Sequence, residues 1–334
     1  MEGVLEEPEG QRDARVVKLV AIKNECTTYT HLGIMANIPP LVTSSVAPLV
    51  TSSVAPLVTS PLRISTMVTT CHVGCGIRLS RLYDNFKLWA IPFGYPGEGF
   101  LKMEYETKVV GSSTRDVLTK RKVTEKTFFN QATLVIRKTF PGRGWKEVNI
   151  KMFANGGIQM TGVPTAEFSQ EAIQFVMDQI TAKDPDVFHV VGTNPPVRAA
   201  AALTKFRIQL INSDYSINRQ IYQDKLHKVL SNVYNLFSSH ESTIYQGVNT
   251  KYYYNKKGNP LRPGICECKA QCNGQGLGDG EGQCKRITIS PFSSGKIIIT
   301  GAREMDQINE AYEFFNAILA THDRDILFVP TATI

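Results

Sequence analysis

The chain has 334 residues, 42% hydrophobic and 20% charged, a globular balance with about two domains' worth of core. It contains no run of about 18 apolar residues, so no spanning helix is expected, and its acidic start (Glu2, Glu6, Glu7, Glu9) has the wrong charge for a signal or transit peptide. The net charge of +7 is uneven: residues 101–160 hold twelve basic against five acidic side chains, whereas 1–61 hold four against six. A basic segment of this kind suits a polyanionic partner or a solubilising surface. There is no Asn-x-Ser/Thr sequon, and four of the seven cysteines crowd into 266–284, which favours a reducing, intracellular setting without a membrane.

In chain order, residues 41–60 read LVTSSVAP twice and then LVTS. Pro48 and Pro56 interrupt any helix, and the Ser/Thr content leaves little to bury. Residues 1–61 are therefore expected to be a disordered tail and linker. RISTMVTTC (63–71) reads as a strand and LSRLYDNF (79–86) as a helix, followed by an insert at 92–126 and a strand at 132–140. Beyond Asn194-Pro195-Pro196 come a strand at 206–212, a helix over 220–237 and a strand at 247–255.

The segment FANGGIQMTGVPTAEFSQEAIQFVMDQI (153–180) overlays FSSGKIIITGAREMDQINEAYEFFNAIL (292–319) without a gap at an offset of 139, with eight of 28 positions identical. Each copy reads as strand, glycine turn, strand and helix. Turn glycines alone would not bring helix positions into register, so the pattern indicates an internal duplication. The expected organisation is a first repeat at 62–190, a connector at 191–205 and a second repeat at 206–330 with a Cys/Gly-rich insert at 256–286. Neither half has strands enough for a closed barrel, so the expected fold is α+β: two tandem pseudo-symmetric repeats sharing one curved antiparallel sheet, with helices on one face.

SGKIIITGAREMDQINEAYEFFNAIL (294–319), IYQGVNTKYYY (244–254) and CHVGCGIRL (71–79) resemble signature stretches of the TATA-box-binding protein family, most of all the divergent forms carried by large DNA viruses. The resemblance implies a saddle whose helices lie on the convex face and whose concave face sits on the DNA minor groove. It further implies a transcription initiation factor that bends promoter DNA as a monomer and recruits RNA polymerase through a factor B-like partner, in the nucleus or a viral factory. Its aromatic wedges would fall on Phe129, Phe153, Tyr245 and Phe292. The strand positions facing DNA would be Thr66, Val68, Gln159, Thr161, Ile298 and Thr300, with Arg137, Lys138, Lys151, Lys251 and Lys296 toward phosphates. The family's central asparagines are replaced by Thr66 and Ile208, a shift of one placing Gln209 at the second site. That departure leaves open an alternative, a degenerate saddle acting as a protein-interaction adaptor without sequence-specific DNA binding.

Cys266, Cys268, Cys272 and Cys284 have the spacing C-x-C-x3-C-x11-C, which is not a standard zinc pattern. A zinc site, a reduced loop and a disulfide all fit it; no other cofactor is expected. The six histidines form no ligand pair at helical spacing, and there is no nucleophile motif or phosphate loop, so no enzyme is expected.

Overall fold

The computed structural model describes residues 56–119, 130–142, 144–269 and 271–328. The first half contains β1 (Arg63–His72), β2 (Gly76–Ile77), α1 (Leu79–Trp89), β3 (Gly99–Tyr105), β4 (Lys108–Gly111) and α2 (Thr114–Leu118). It continues through β5 (Gln131–Phe140), β6 (Gly144–Phe153), β7 (Gly157–Val163), α3 (Ala166–Lys183) and β8 (Phe188–His189). The second half contains β9 (Thr204–Ser216), α4 (Gln223–Asn232), β10 (Phe237–Ser239), β11 (Asn249–Tyr254), β12 (Lys285–Pro291), β13 (Lys296–Ala302), α5 (Met305–Thr321) and α6 (Asp323–Ile326).

Eleven strands form one open sheet in the order β10-β11-β12-β13-β9-β1-β7-β6-β5-β3-β4, antiparallel at every step. β9 and β1 pair at its middle. The bounds of β7 and β13 differ by 139 residues at both ends, as do the first residues of α3 and α5.

Side-chain alternation divides this sheet into two faces. Met67, Thr69 and Cys71 of β1, Ile158 and Met160 of β7, and Ile297 and Ile299 of β13 are buried beneath α3 and α5. Ala172 and Ala311 are fully buried at equivalent helix positions, where a methyl group lets helix and sheet approach closely. The buried Thr69 and Ser169 hydroxyls meet at 2.6 Å, and the Tyr215 hydroxyl donates to Asn316 Oδ1 at 3.0 Å. Each contact ties a central strand to the helix above it without leaving a buried polar group unpaired. Phe86, Phe100 and Phe175 stack α1, β3 and α3 on that same side.

The insert at 92–126 carries regular structure: GFLKMEY forms β3 inside the sheet and a hairpin adds β4, followed by α2. Three expectations need correction. The second insert ends at Cys284, since β12 starts at Lys285. The helix expected over 220–237 stops at Asn232, because Asn235 adopts φ 54° and Phe237 already belongs to β10. The expected disordered tail is too long at its end: Ser60 N–H donates to Ser216 O at 2.8 Å, and Val58 N–H donates to Asn218 Oδ1 at 3.0 Å. The LVTSSVAP repeats up to residue 55 lie outside the described residues. No helix among the described residues is long and apolar enough to cross a membrane.

Candidate functional site

The sheet face opposite α3 and α5 carries two rows of side chains that run outward from the β1–β9 centre. Cross-strand register sets one row as Leu210, Val68, Thr161, Asn149 and Val135. The other is Thr66, Asn212, Thr300, Thr288 and Lys251. A third alignment joins Thr70, Gln159, Lys151 and Thr133. Apart from the buried Val135, these side chains are half-buried. The surface is thus lined mainly by Thr, Asn and Gln side chains, with apolar Leu210 and Val68 at its centre and Val135 toward one end. It contains the expected Thr66, Val68, Gln159, Thr161 and Thr300, and Ile298 lies on the same face opposite Asp214.

At the centre the ladder slips between Val68 and Thr69, where Leu210 and then Ile208 are the partners. This bulge leaves Gln209 unpaired in register and re-aims it. Its Nε2 donates to Thr70 Oγ1 at 2.8 Å on the open face, while Ile208 packs against the core. Of the two second-site alternatives, Gln209 is therefore the residue on the open face. The Thr66 hydroxyl is enclosed and has no hydrogen-bond partner among the described residues.

Tyr245 and Phe292 meet at one rim in a T-shaped contact, with ring centroids 5.7 Å apart. Phe292 immediately follows β12, and its N–H and C=O close the turn to Lys296 and Gly295 at 2.8 and 3.0 Å. Tyr245 ends a tight turn in which its N–H donates to Glu241 O at 2.8 Å, beside the exposed Ile244. Gly247 permits this approach: a Cβ there would lie 2.9 Å from the Tyr245 ring and 3.1 Å from Phe292. Phe153 occupies the corresponding place at the end of β6, half-buried before the β6–β7 turn. Phe129 lies outside the described residues.

The five basic candidates differ. Lys151 is half-buried on the open face, and Lys251 donates to Thr288 Oγ1 at 2.9 Å there. Burial, and then the neighbouring Arg286, push the Lys251 ammonium below its ordinary range. Exposed Arg286, which the sequence pattern did not single out, extends this basic spot. The other three are engaged by partners within the chain. Arg137 donates to the carbonyls of Tyr95 and Phe93. Lys138 pairs with Glu98 at 2.9 Å and lies over the Phe175 ring on the helix side. Lys296 lies 3.4 Å from Asp214, whose two carboxylate oxygens also accept from Arg63 Nη2 at 2.9 and 2.8 Å. Burial would raise the Asp214 carboxyl, but Arg63 and Lys296 hold it below the usual carboxylate range.

The open face is not bare throughout. α2 lies over its outer end, where Lys102 donates to Asp116 at 2.8 Å and the Thr114 hydroxyl donates to Glu147 at 2.6 Å. A small cavity between α2 and the sheet is lined by Lys102, Thr133, Val135 and Asn149 among others. Asn149, Asn212, Leu210 and Thr70 were also missed in the sequence. Continuing the period-2 alternation along β1 from Thr66 would have located Thr70, whereas the other three follow only from cross-strand register.

Residues 283–322 match the family described as "Transcription factor TFIID (or TATA-binding protein, TBP)". A "TATA-box-binding protein-like" protein of Acanthamoeba polyphaga mimivirus is 26% identical over 283 residues, covering 80% of this chain and 68% of that protein. The solved structure of Methanococcus jannaschii TBP is 15% identical, with a TM-score of 0.41 over 79% of this chain and 99% of that one. In sequence, the chain is similar to the TATA-box-binding protein family, including a form carried by a large DNA virus.

Proposed function

We propose that this chain is a transcription initiation factor that binds the DNA minor groove through the open face of its sheet and bends promoter DNA. The observation that carries the reading is the pairing of Tyr245 with Phe292 at the rim of a face lined by Thr, Asn, Val and Ile. The minor groove offers few distinguishing groups and is wide enough for a sheet only once opened. Wedge side chains that unstack a base step provide that opening, and this is the known mechanism of the similar family. Asn212 and Gln209 supply amides near the centre, Lys151, Lys251 and Arg286 supply charge for phosphates, and two copies at the 139 offset would give the pseudo-symmetry. A factor B-like partner recruiting polymerase fits the exposed Asp306 and Glu313 on α5.

The α2 segment favours a second reading, a protein-interaction adaptor, because it occupies part of the same face. Salt-dependent binding to AT-rich and GC-rich duplexes, with bending followed by fluorescence transfer between duplex ends, separates the two. The DNA reading expects AT-preferring, bent complexes whose affinity falls steeply with salt. Absence of binding at low salt would leave the adaptor.

A further inference from the structure

We propose that the second insert is a structural zinc site formed by Cys266, Cys268, Cys272 and Cys284. The four Sγ atoms all lie within 4.8 Å of one another, with Cys268 and Cys284 at 3.4 Å and Cys266 and Cys284 at 3.7 Å. A tetrahedral zinc with Zn–S bonds of about 2.3 Å places its sulfurs about 3.8 Å apart, so the cluster already has the size of a zinc tetrathiolate. No pair is at the bonded S–S distance of about 2.05 Å, and all four are free thiols.

Two of the four sulfurs also accept hydrogen bonds from their surroundings. Gly282 N–H points at Cys268 Sγ at 3.2 Å, and Asn255 Nδ2 points at Cys284 Sγ at 3.3 Å. Donors of this kind orient and stabilise metal-bound sulfur in zinc sites. The loop is also anchored on both sides of the cluster. Gly274 O accepts from Arg286 N–H at 2.8 Å, and Leu277 O accepts from Gln307 Nε2 at 2.9 Å at the start of α5. Gly274 adopts φ 71°, and a Cβ there would lie 2.7 Å from Arg286 Cβ, so the chain can fold back on β12 only with glycine.

Four protein ligands close the tetrahedron and leave no open position, so the site is structural and not catalytic. It would join the end of β11, through Asn255, to the start of β12, through Cys284. The non-standard Cys spacing follows from that bridging role, because Cys266, Cys268 and Cys272 come from the body of the loop and Cys284 is the residue immediately before β12.

The test uses the full chain purified under reducing conditions, without DNA, so its outcome is independent of the proposed function. Atomic emission should give about one zinc per chain. After chelation, cobalt(II) should restore the thiolate charge-transfer and intense tetrahedral d–d bands. Cys272→Ser should abolish stoichiometric zinc, and Asn255→Ala should weaken metal affinity about 10- to 100-fold. Cys75→Ser, outside the cluster, should leave zinc content unchanged. If Cys272→Ser does not fold, the cobalt titration of the unaltered chain decides. A reduced chain that lacks zinc and gives no tetrathiolate cobalt spectrum overturns the proposal, as does a Cys268–Cys284 disulfide trapped in freshly lysed cells.

Discussion

Gln209 and Thr70, 139 residues apart, hydrogen-bond to each other at the centre of the sheet, with Gln209 Nε2 donating to Thr70 Oγ1 at 2.8 Å. Their separation equals the offset that superposes 153–180 on 292–319. Equivalent positions of two tandem copies can touch only beside the axis relating them, so this contact marks where a pseudo-dyad would cross the open face. The hydroxyl and the amide oxygen there retain acceptor capacity, and the amide a second donor.

Gln209→Ala should therefore have a small effect on stability and a larger one on recognition. Loss of one half-buried hydrogen bond is worth about 0.5–1.5 kcal/mol in a melting experiment. Under the DNA reading, affinity for AT-rich duplex should fall more than affinity for GC-rich duplex. An equal loss on both would show that the amide only braces Thr70.

Phe292→Ala tests the rim. Phe292 touches Tyr245 and is half-buried, so losing the ring pair should cost about 0.5–1.5 kcal/mol beyond the area lost. Bending by the proposed complex should drop sharply. If instead the variant loses about 3–5 kcal/mol, as a core phenylalanine would, and still bends DNA when folded, Phe292 belongs to the core.

A third prediction concerns α2. Burial alone would raise the Asp116 carboxyl, but Lys102 and the Ser113 hydroxyl and N–H hold it at about 2. A folded value below the unfolded one of about 3.9 stabilises the docked helix fully above that pH and loses its contribution as pH falls toward 2. Exchange of the Ser113 and Thr114 amides should accelerate across that window before the central strands open. Asp116→Asn should undock α2 at neutral pH and raise DNA affinity about 2- to 5-fold, the equivalent of about 0.5–1 kcal/mol. Asp178→Asn, which removes the same charge from the far side of α3, should not. No difference between the two variants would mean that α2 does not compete for the face.

What was legible in the sequence was local and repeated. Phe153-to-Gly162 and Phe292-to-Gly301 share a glycine turn and a closing Thr-Gly, and β7 and β13 follow with matching bounds. The Gln209 bulge was not legible, because alternation carries no mark of where a strand slips by one residue. Arg137 and Lys138 read as free charges because their partners, Phe93, Tyr95 and Glu98, are about 40 residues away in a segment that reads only as an insert. That segment hid β3 because Lys102, buried between Glu104 and Asp116, looks like a solvent residue until its ion pairs are seen.

The last prediction concerns the end of the N-terminal tail. Residues 56–61 run beside 216–218, with Ser60 and Asn218 each exchanging bonds across the junction. Deletion of 1–61 should therefore destabilise the chain relative to deletion of 1–55. Five partly exposed hydrogen bonds cross the junction, and, discounted for their exposure, they suggest a difference of about 1–3 kcal/mol in denaturant unfolding. Asn218→Ala in the 1–55 deletion should reproduce much of that loss, since it removes the side chain that accepts from Val58 N–H and donates to Pro56 O. In the 1–61 deletion the same substitution should add little, because its partners are already gone. If the two deletions melt together and Asn218→Ala costs the same in both, residues 56–61 do not support the fold, and the linker does extend to 61.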